Sequence, residues 1–197
     1  MQKRNYNQDM QQQMTAIPAG QRLLLHSCCG PCAGAVMERL GAWFTLEVYF
    51  YNPNIQDEAE YTRRLEAQRA AVARVQTKYP VSLTEAPYDP TAFTQAATGL
   101  EDAPEGGVRC TACFGLRLTA TAQLAKEQGI PYFATTLTIS PQKDAARLNE
   151  IGQTVGAAHG VAYLPGDFKK QGGYQRSMAL AQAWGLYRQN YCGCLFS

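Results

Sequence analysis

The stretch that decides the fold is Leu23-Leu24-Leu25-His26-Ser27-Cys28-Cys29-Gly30-Pro31-Cys32. Its leucine run is short, apolar and bounded by Gly20 and by Gly30-Pro31, so it reads as a buried strand running into a turn. Residues 33–41 follow as a short helix with Val36, Met37 and Leu40 inward. A strand, a turn and a helix in that order open a parallel α/β sheet. The alternation continues outward. Residues 43–51 read as a second strand, ended by Asn52-Pro53-Asn54. Asp57 with Glu60 is a capping pair for a helix that carries Leu65, Val72 and Val75 on one side and ends near Tyr79-Pro80. Residues 81–86 read as the third strand, 90–98 as a weak helix and 109–128 as a helix with Leu116, Leu118 and Leu124 in the core. Residues 132–138 are the fourth strand, and Ser140-Pro141 starts a helix over 142–158. Residues 161–164 are the fifth strand and 174–186 the last helix. The pattern predicts an α/β fold: a single doubly wound, mostly parallel sheet with helices on both faces, Rossmann-like in architecture. Residues 1–20 read as a flexible polar leader and 21–197 as one catalytic domain that includes a cysteine-bearing tail.

Composition narrows the function. The chain has 197 residues, 46% of them hydrophobic and 17% charged, which excludes wholesale disorder. No apolar run approaches the roughly 20 residues that span a bilayer. Residues 1–20 lack the apolar core of a secretory signal, so the expected location is cytoplasmic, away from any membrane. In that compartment the seven cysteines are not a disulfide scaffold.

The cysteines fall into three groups. Cys28, Cys29 and Cys32 follow the first strand, where the ligand crevice of a doubly wound sheet lies. The adjacent helix N-terminus favours thiolate, the metal-binding form. Cys110-Thr111-Ala112-Cys113 opens a helix, where residues three apart share a face. Cys192-Gly193-Cys194 closes the chain, with a glycine that allows a tight turn between the sulfurs. Four thiolates complete a [4Fe–4S] cluster or a structural zinc site. Three remain, for a second metal or a redox-active pair. That surplus favours redox chemistry. How adjacent Cys28 and Cys29 share one centre stays open, because neighbours in a strand point to opposite sides.

The net charge of +2 hides an asymmetry. Residues 168–197 hold Lys169, Lys170, Arg176 and Arg188 and no acid, interleaved with Phe168, Tyr174, Trp184, Tyr187 and Tyr191. Cations among aromatics suit phosphate contacts and base stacking. The competing reading is an amphipathic helix with a solvated basic face. Asp167 is a candidate general acid or a turn aspartate. His26 is a candidate donor behind the cysteines or a core histidine. Hydroxyls from Thr135 to Ser140 follow the fourth strand on the crevice side.

Six stretches together resemble epoxyqueuosine reductases of the QueH type. They are Leu25 to Cys32, Phe50 to Ile55, Arg109 to Leu118, Thr135 to Lys143, Asp167 to Lys170 and Tyr187 to Ser197, across about residues 22–197. The resemblance implies a HUP-type α/β fold and the last step of queuosine synthesis. There the epoxide of epoxyqueuosine, at the wobble position of tRNA, is reduced to the cyclopentene of queuosine with loss of water. It implies a [4Fe–4S] cluster on Cys28, Cys29, Cys110 and Cys113, with a second metal ion, iron or zinc, beside it. Cys32 joins these as a metal-site cysteine whose centre is unassigned. Cys192 and Cys194 match the redox-active pair. Asp167 or Tyr191 is the expected proton donor, and an electron donor is required. Two rivals stand beside this: an ATP-dependent tRNA sulfur-transfer enzyme of the same fold, which needs a Gly-rich phosphate loop, and a zinc-dependent RNA-binding module.

Overall fold

The computed structural model describes residues 4–196. Five strands form one sheet: β1 Arg22–Ser27, β2 Thr45–Phe50, β3 Val81–Glu85, β4 Tyr132–Thr135 and β5 Ala162–Tyr163. Their order is β3-β2-β1-β4-β5, and every pair is parallel. β1 lies at the centre, with Leu25 between Val48 and Ala134 and His26 between Tyr49 and Thr135.

Central position explains why β1 is an unbroken apolar run. Successive side chains face opposite layers, and both layers are covered. Leu23 and Leu25 enter a core with α2 (Gly30–Gly41) and α7 (Gly173–Ala183). Leu24 faces the other way, with Phe133, and meets α5 (Val108–Glu127) and α6 (Ala145–His159). The helix α3 (Glu58–Arg74) packs on α2, and α4 (Thr91–Ala97) packs on α5.

Four expectations need correction. Residues 6–15 are not part of a flexible leader but a helix, α1 (Tyr6–Thr15), with Tyr6, Asn7 and Met10 buried. Its anchor is reciprocal: Asn7 Nδ2 donates to the Asp167 carbonyl at 3.0 Å, and the Asp167 N–H donates to Asn7 Oδ1 at 2.8 Å. The helix α6 starts later than Ser140-Pro141 suggests, because the Asp144 carboxylate caps Ala146 and Arg147. The stretch after β4 is a short 3₁₀ turn, Thr136–Ile139, and not more strand. In α3 the buried positions are polar and apolar together, Glu60, Tyr61, Arg64, Ala67, Gln68 and Ala71, while the expected Leu65, Val72 and Val75 pack against the core only partly covered.

Gly30 sets the junction of β1, α2 and α3. A β-carbon at this position would sit 2.2 Å from the Ala67 carbonyl oxygen. Gly30→Ala therefore forces two backbones apart, and overpacking of this kind costs about 1–3 kcal/mol. Gly115, inside α5, has open space around it, and Gly115→Ala removes a helix-interior glycine. Chemical denaturation of the two variants is expected to show a lower midpoint for the first and an unchanged or higher one for the second. Equal midpoints would remove Gly30 from its structural role.

Candidate active site

Strand order reverses between β1 and β4, so the chain leaves their carboxyl ends in opposite directions and opens a crevice. A cavity of ≈ 340 Å³ lies there. Cys28, Cys29 and Cys32 line it, facing Ser140 to Lys143 and the tail from Arg188 to Cys192.

The three sulfurs of Cys28, Cys29 and Cys32 lie within 4.8 Å of one another. The Cys28 and Cys29 sulfurs are 3.7 Å apart. Both can turn to one side because β1 stops at Ser27 and α2 starts at Gly30, which leaves the pair in the connecting turn. Cys29 and Cys32 donate to the Cys28 sulfur, and Arg117 and Lys143 add positive potential. The Cys28 thiol is therefore held well below its ordinary range. Donation to Cys28, with burial, pushes Cys29 and Cys32 up. One thiolate thus serves three sulfurs. A cation bound by all three would displace the remaining protons.

Cys110 and Cys113 lie outside that close set. They share a second, small cavity with Cys192 and Cys194, and this is continuous in its lining with the first through Asn54, Arg117, Lys143 and Cys192. Burial pushes the Cys113 thiol up to about 11. Cys192 goes the other way, to about 5, because Cys194 donates to it and Lys143, Arg117 and Arg64 are close. Burial alone would depress the Lys143 ammonium, but the sulfurs of Cys192 and Cys28 outweigh it and raise its pKa.

A buried polar frame holds these groups. Arg117 donates through Nε to His26 Nε2 at 3.2 Å and through Nη2 to Asn52 Oδ1. His26 Nε2 also faces the Tyr51 carbonyl at 3.1 Å, and Nδ1 is hydrogen-bonded with Thr135 Oγ1 at 2.9 Å. Burial, then Arg117, holds the His26 pKa down to about 3, so the ring is neutral at pH 7. Asn52 Nδ2 donates to the Ser27 carbonyl at 3.0 Å, and the Ser27 hydroxyl donates to Gln68 Oε1 at 2.6 Å. The end of β1 is thereby tied to α3 and α5 just before the cysteines.

The tail is held by two buried arginines. Arg64 pairs with Glu60 at 2.6 Å and donates to the carbonyls of Cys192 at 2.9 Å and Tyr191 at 3.3 Å. Tyr187 donates to Glu60 at 2.8 Å. Burial would raise the Glu60 carboxyl, but donation from Tyr187, Arg64 and Arg63 holds it below its usual range. Removing one partner would strand a buried charge, at a cost of about 3–5 kcal/mol. Arg109 donates to the Phe196 carbonyl at 3.1 Å. None of these arginines stands out in composition. Their signal was spacing: Glu60, Arg64 and Gln68 form one stripe of α3, and Arg109, Cys113 and Arg117 one stripe of α5.

Asp167 is the expected site residue that the structure does not bring to the cleft. It is buried beside α1 and pairs with Lys169 at 2.9 Å and Lys170 at 3.6 Å. It lies outside the cavity lining. Tyr191 does line the cleft. The only glycine of the β1–α2 turn is Gly30, which packs on Ala67, so the turn is not the Gly-rich phosphate cradle that the sulfur-transfer rival needs.

A family model described as epoxyqueuosine reductase QueH matches residues 23–197. The chain is 43% identical over 180 residues to the epoxyqueuosine reductase QueH of Staphylococcus epidermidis, covering 89% of this chain and 76% of that one. It is 40% identical over 201 residues to the same enzyme of Streptococcus pyogenes serotype M1, covering 100% and 79%. The Thermotoga maritima enzyme is 35% identical, covering 89% of each chain. Among solved structures, a predicted subunit of tRNA methyltransferase from Methanocaldococcus jannaschii superposes with a TM-score of 0.50 at 12% identity, covering 82% of this chain and 74% of that one, a likeness of fold alone.

The sulfur environments predict an order of reactivity in the reduced, metal-free chain. A thiol at about 5 is ionised by pH 6.5, where an ordinary cysteine near 8.5 is almost wholly protonated. Iodoacetamide at pH 6.5, read by peptide mass spectrometry, is expected to label Cys192 and Cys28 before Cys113, Cys29 and Cys32. Lys143→Met should shift the Cys192 rate profile to higher pH. A Cys192 rate that climbs through pH 8 in the unaltered chain would contradict the assignment.

Proposed function

The chain belongs to the epoxyqueuosine reductase QueH family, and from that premise we propose that the thiol-lined cleft at the β1–β4 crossover is its reaction centre. The protein is an epoxyqueuosine reductase that converts epoxyqueuosine in tRNA to queuosine. The net change consumes two electrons and two protons, opens the epoxide to an alkene and releases water. We assign residues 21–197 to the catalytic unit. No helix among the described residues is long and apolar enough to cross a membrane, which suits a reaction on tRNA in the cytoplasm.

One observation carries the reading: two sets of sulfurs meet across Lys143 and Arg117 in a single crevice. The donor set is all sulfur, the chemistry of zinc or iron–sulfur sites. The Cys28 and Cys29 sulfurs, 3.7 Å apart, would suit two thiolates on one metal ion rather than on two irons of a cluster. The residues therefore fit a thiolate-bound metal group. We assign Cys28, Cys29 and Cys32 to one thiolate-bound metal centre, and a [4Fe–4S] cluster there would draw its further ligands from Cys110 and Cys113. When bound, such a cluster supplies single-electron transfer at the cleft wall.

The chain's own groups account for the rest. Oxidation of the Cys192 and Cys194 thiols to a disulfide yields two electrons and two protons, so epoxide and dithiol become alkene, water and disulfide in balance. An external electron donor then regenerates the thiols. Hydrogen bonding between Cys194 and Cys192 supports their acting as a pair. Lys143 replaces Asp167 as proton donor: its Nζ holds a proton beside Cys192 and Cys28, where the oxygen must leave. Arg117 adds fixed positive charge for the developing oxyanion.

The test is anaerobic reconstitution with iron and sulfide, followed by reductant and epoxyqueuosine-containing tRNA, with mass spectrometry of the digested tRNA. Queuosine is expected, with iron bound. No queuosine from a cluster-loaded protein would overturn the reading, and stoichiometric zinc without iron would point to the RNA-binding module. Cys192→Ser with Cys194→Ser should abolish repeated turnover. Lys143→Met should lower kcat by about 10²–10⁴-fold, whereas Asp167→Asn should retain most of it.

A further inference from the structure

Arg188 and Tyr191 line the cleft, with Tyr187 next to them in the chain. Tyr187 and Tyr191 are 37% and 42% exposed, unusual for rings beside a buried polar frame. Arginines cover them: the Arg63 guanidinium lies 5.3 Å from the Tyr187 ring centre, and that of Arg64 lies 5.1 Å from Tyr191. Arg188 is exposed, lines the cleft and donates to the Tyr174 hydroxyl at 3.2 Å. Among the described residues, no carboxylate pairs with Arg188 or Lys143.

We propose that Arg188, Tyr187 and Tyr191 form a docking surface for a single-stranded RNA loop, with a base stacked on Tyr191 and a phosphate on Arg188, so that the reacting nucleoside enters the cleft beside them. This deepens the reductase reading and rests on it. Arg188, exposed and with no carboxylate partner among the described residues, complements a phosphate. Exposed aromatic faces serve only bases that have left a helical stack, which selects a loop over a duplex. The thiols line a cavity, and chemistry on a nucleoside within it calls for a base taken out of a duplex stack. An acidic donor protein would also meet the cations, and the binding test below separates it from RNA.

The test measures binding of the full-length protein to a fluorescein-labelled anticodon stem-loop RNA with unmodified guanosine at the wobble position, over a salt series. Arg188→Ala and Tyr191→Ala are each expected to weaken binding at least fivefold. Only the first should reduce the slope of log affinity against log salt, by about one. Tyr191→Phe keeps the ring and should bind within twofold of the unaltered protein. Arg74→Ala removes an exposed cation from the far end of α3 and should have no effect. The proposal is overturned if Arg188→Ala and Tyr191→Ala stay within twofold, if Arg74→Ala weakens binding as much, or if Tyr191→Phe fails like Tyr191→Ala. It is also overturned if the variants bind RNA normally and only slow reduction by a donor protein. If no queuosine forms while these binding differences stand, the reductase reading fails and the surface assignment survives.

Discussion

The backbone of Gly30 lies against the Ala67 carbonyl with no room for a β-carbon between them. That contact brings the start of α2 onto α3 and leaves only Cys28 and Cys29 between the end of β1 and the first turn of α2. The sulfurs then have one direction to go, into the crevice, where Cys32 arrives from the first turn of α2. Parallel order does the rest. Because β1 and β4 are parallel neighbours, the residues after β4 face the same opening, and Thr136 comes within 3.7 Å of the Cys28 sulfur.

Around that crevice the protein uses buried cations as structural parts. Arg64, Arg109 and Arg117 are each no more than 3% exposed. Burying a charge is costly unless it is paired and hydrogen-bonded. Arg64 meets Glu60 and two tail carbonyls, Arg109 meets loop and tail carbonyls, and Arg117 meets Asn52 and neutral His26. These contacts hold a tail that has no regular structure after α7. The same cations set the sulfur chemistry, since Arg117 and Arg64 help keep Cys192 ionised. One set of side chains thus positions the tail and tunes it.

Much of this was legible in the residues. The Leu23 to Leu25 run and the alternation that follows it pointed to a parallel sheet, and that is the architecture observed. The errors fall where tertiary contacts override local pattern. The helix α1 looked like a leader because only Tyr6, Asn7 and Met10 are buried and its best anchor, Asn7, is polar. The periodicity of α3 pointed to Leu65, Val72 and Val75, which do pack against the core, but apolar spacing does not mark the buried Glu60, Arg64 and Gln68 beside them. Asp167 looked catalytic because of its place after a strand, but the neighbouring lysines and α1 claim it.

By itself the sequence determined the class of fold, the supply of thiols and the basic, aromatic character of the last thirty residues, because these follow from composition and short-range spacing. Only the tertiary structure decided which sulfurs meet. Cys28, Cys29 and Cys32 converge, Cys110 and Cys113 share a second cavity with the tail, and Lys143 stands between the two sets. The physical reason is distance along the chain. Residues separated by eighty or more positions come together only through the order of strands and the packing of helices, and no local pattern carries that information.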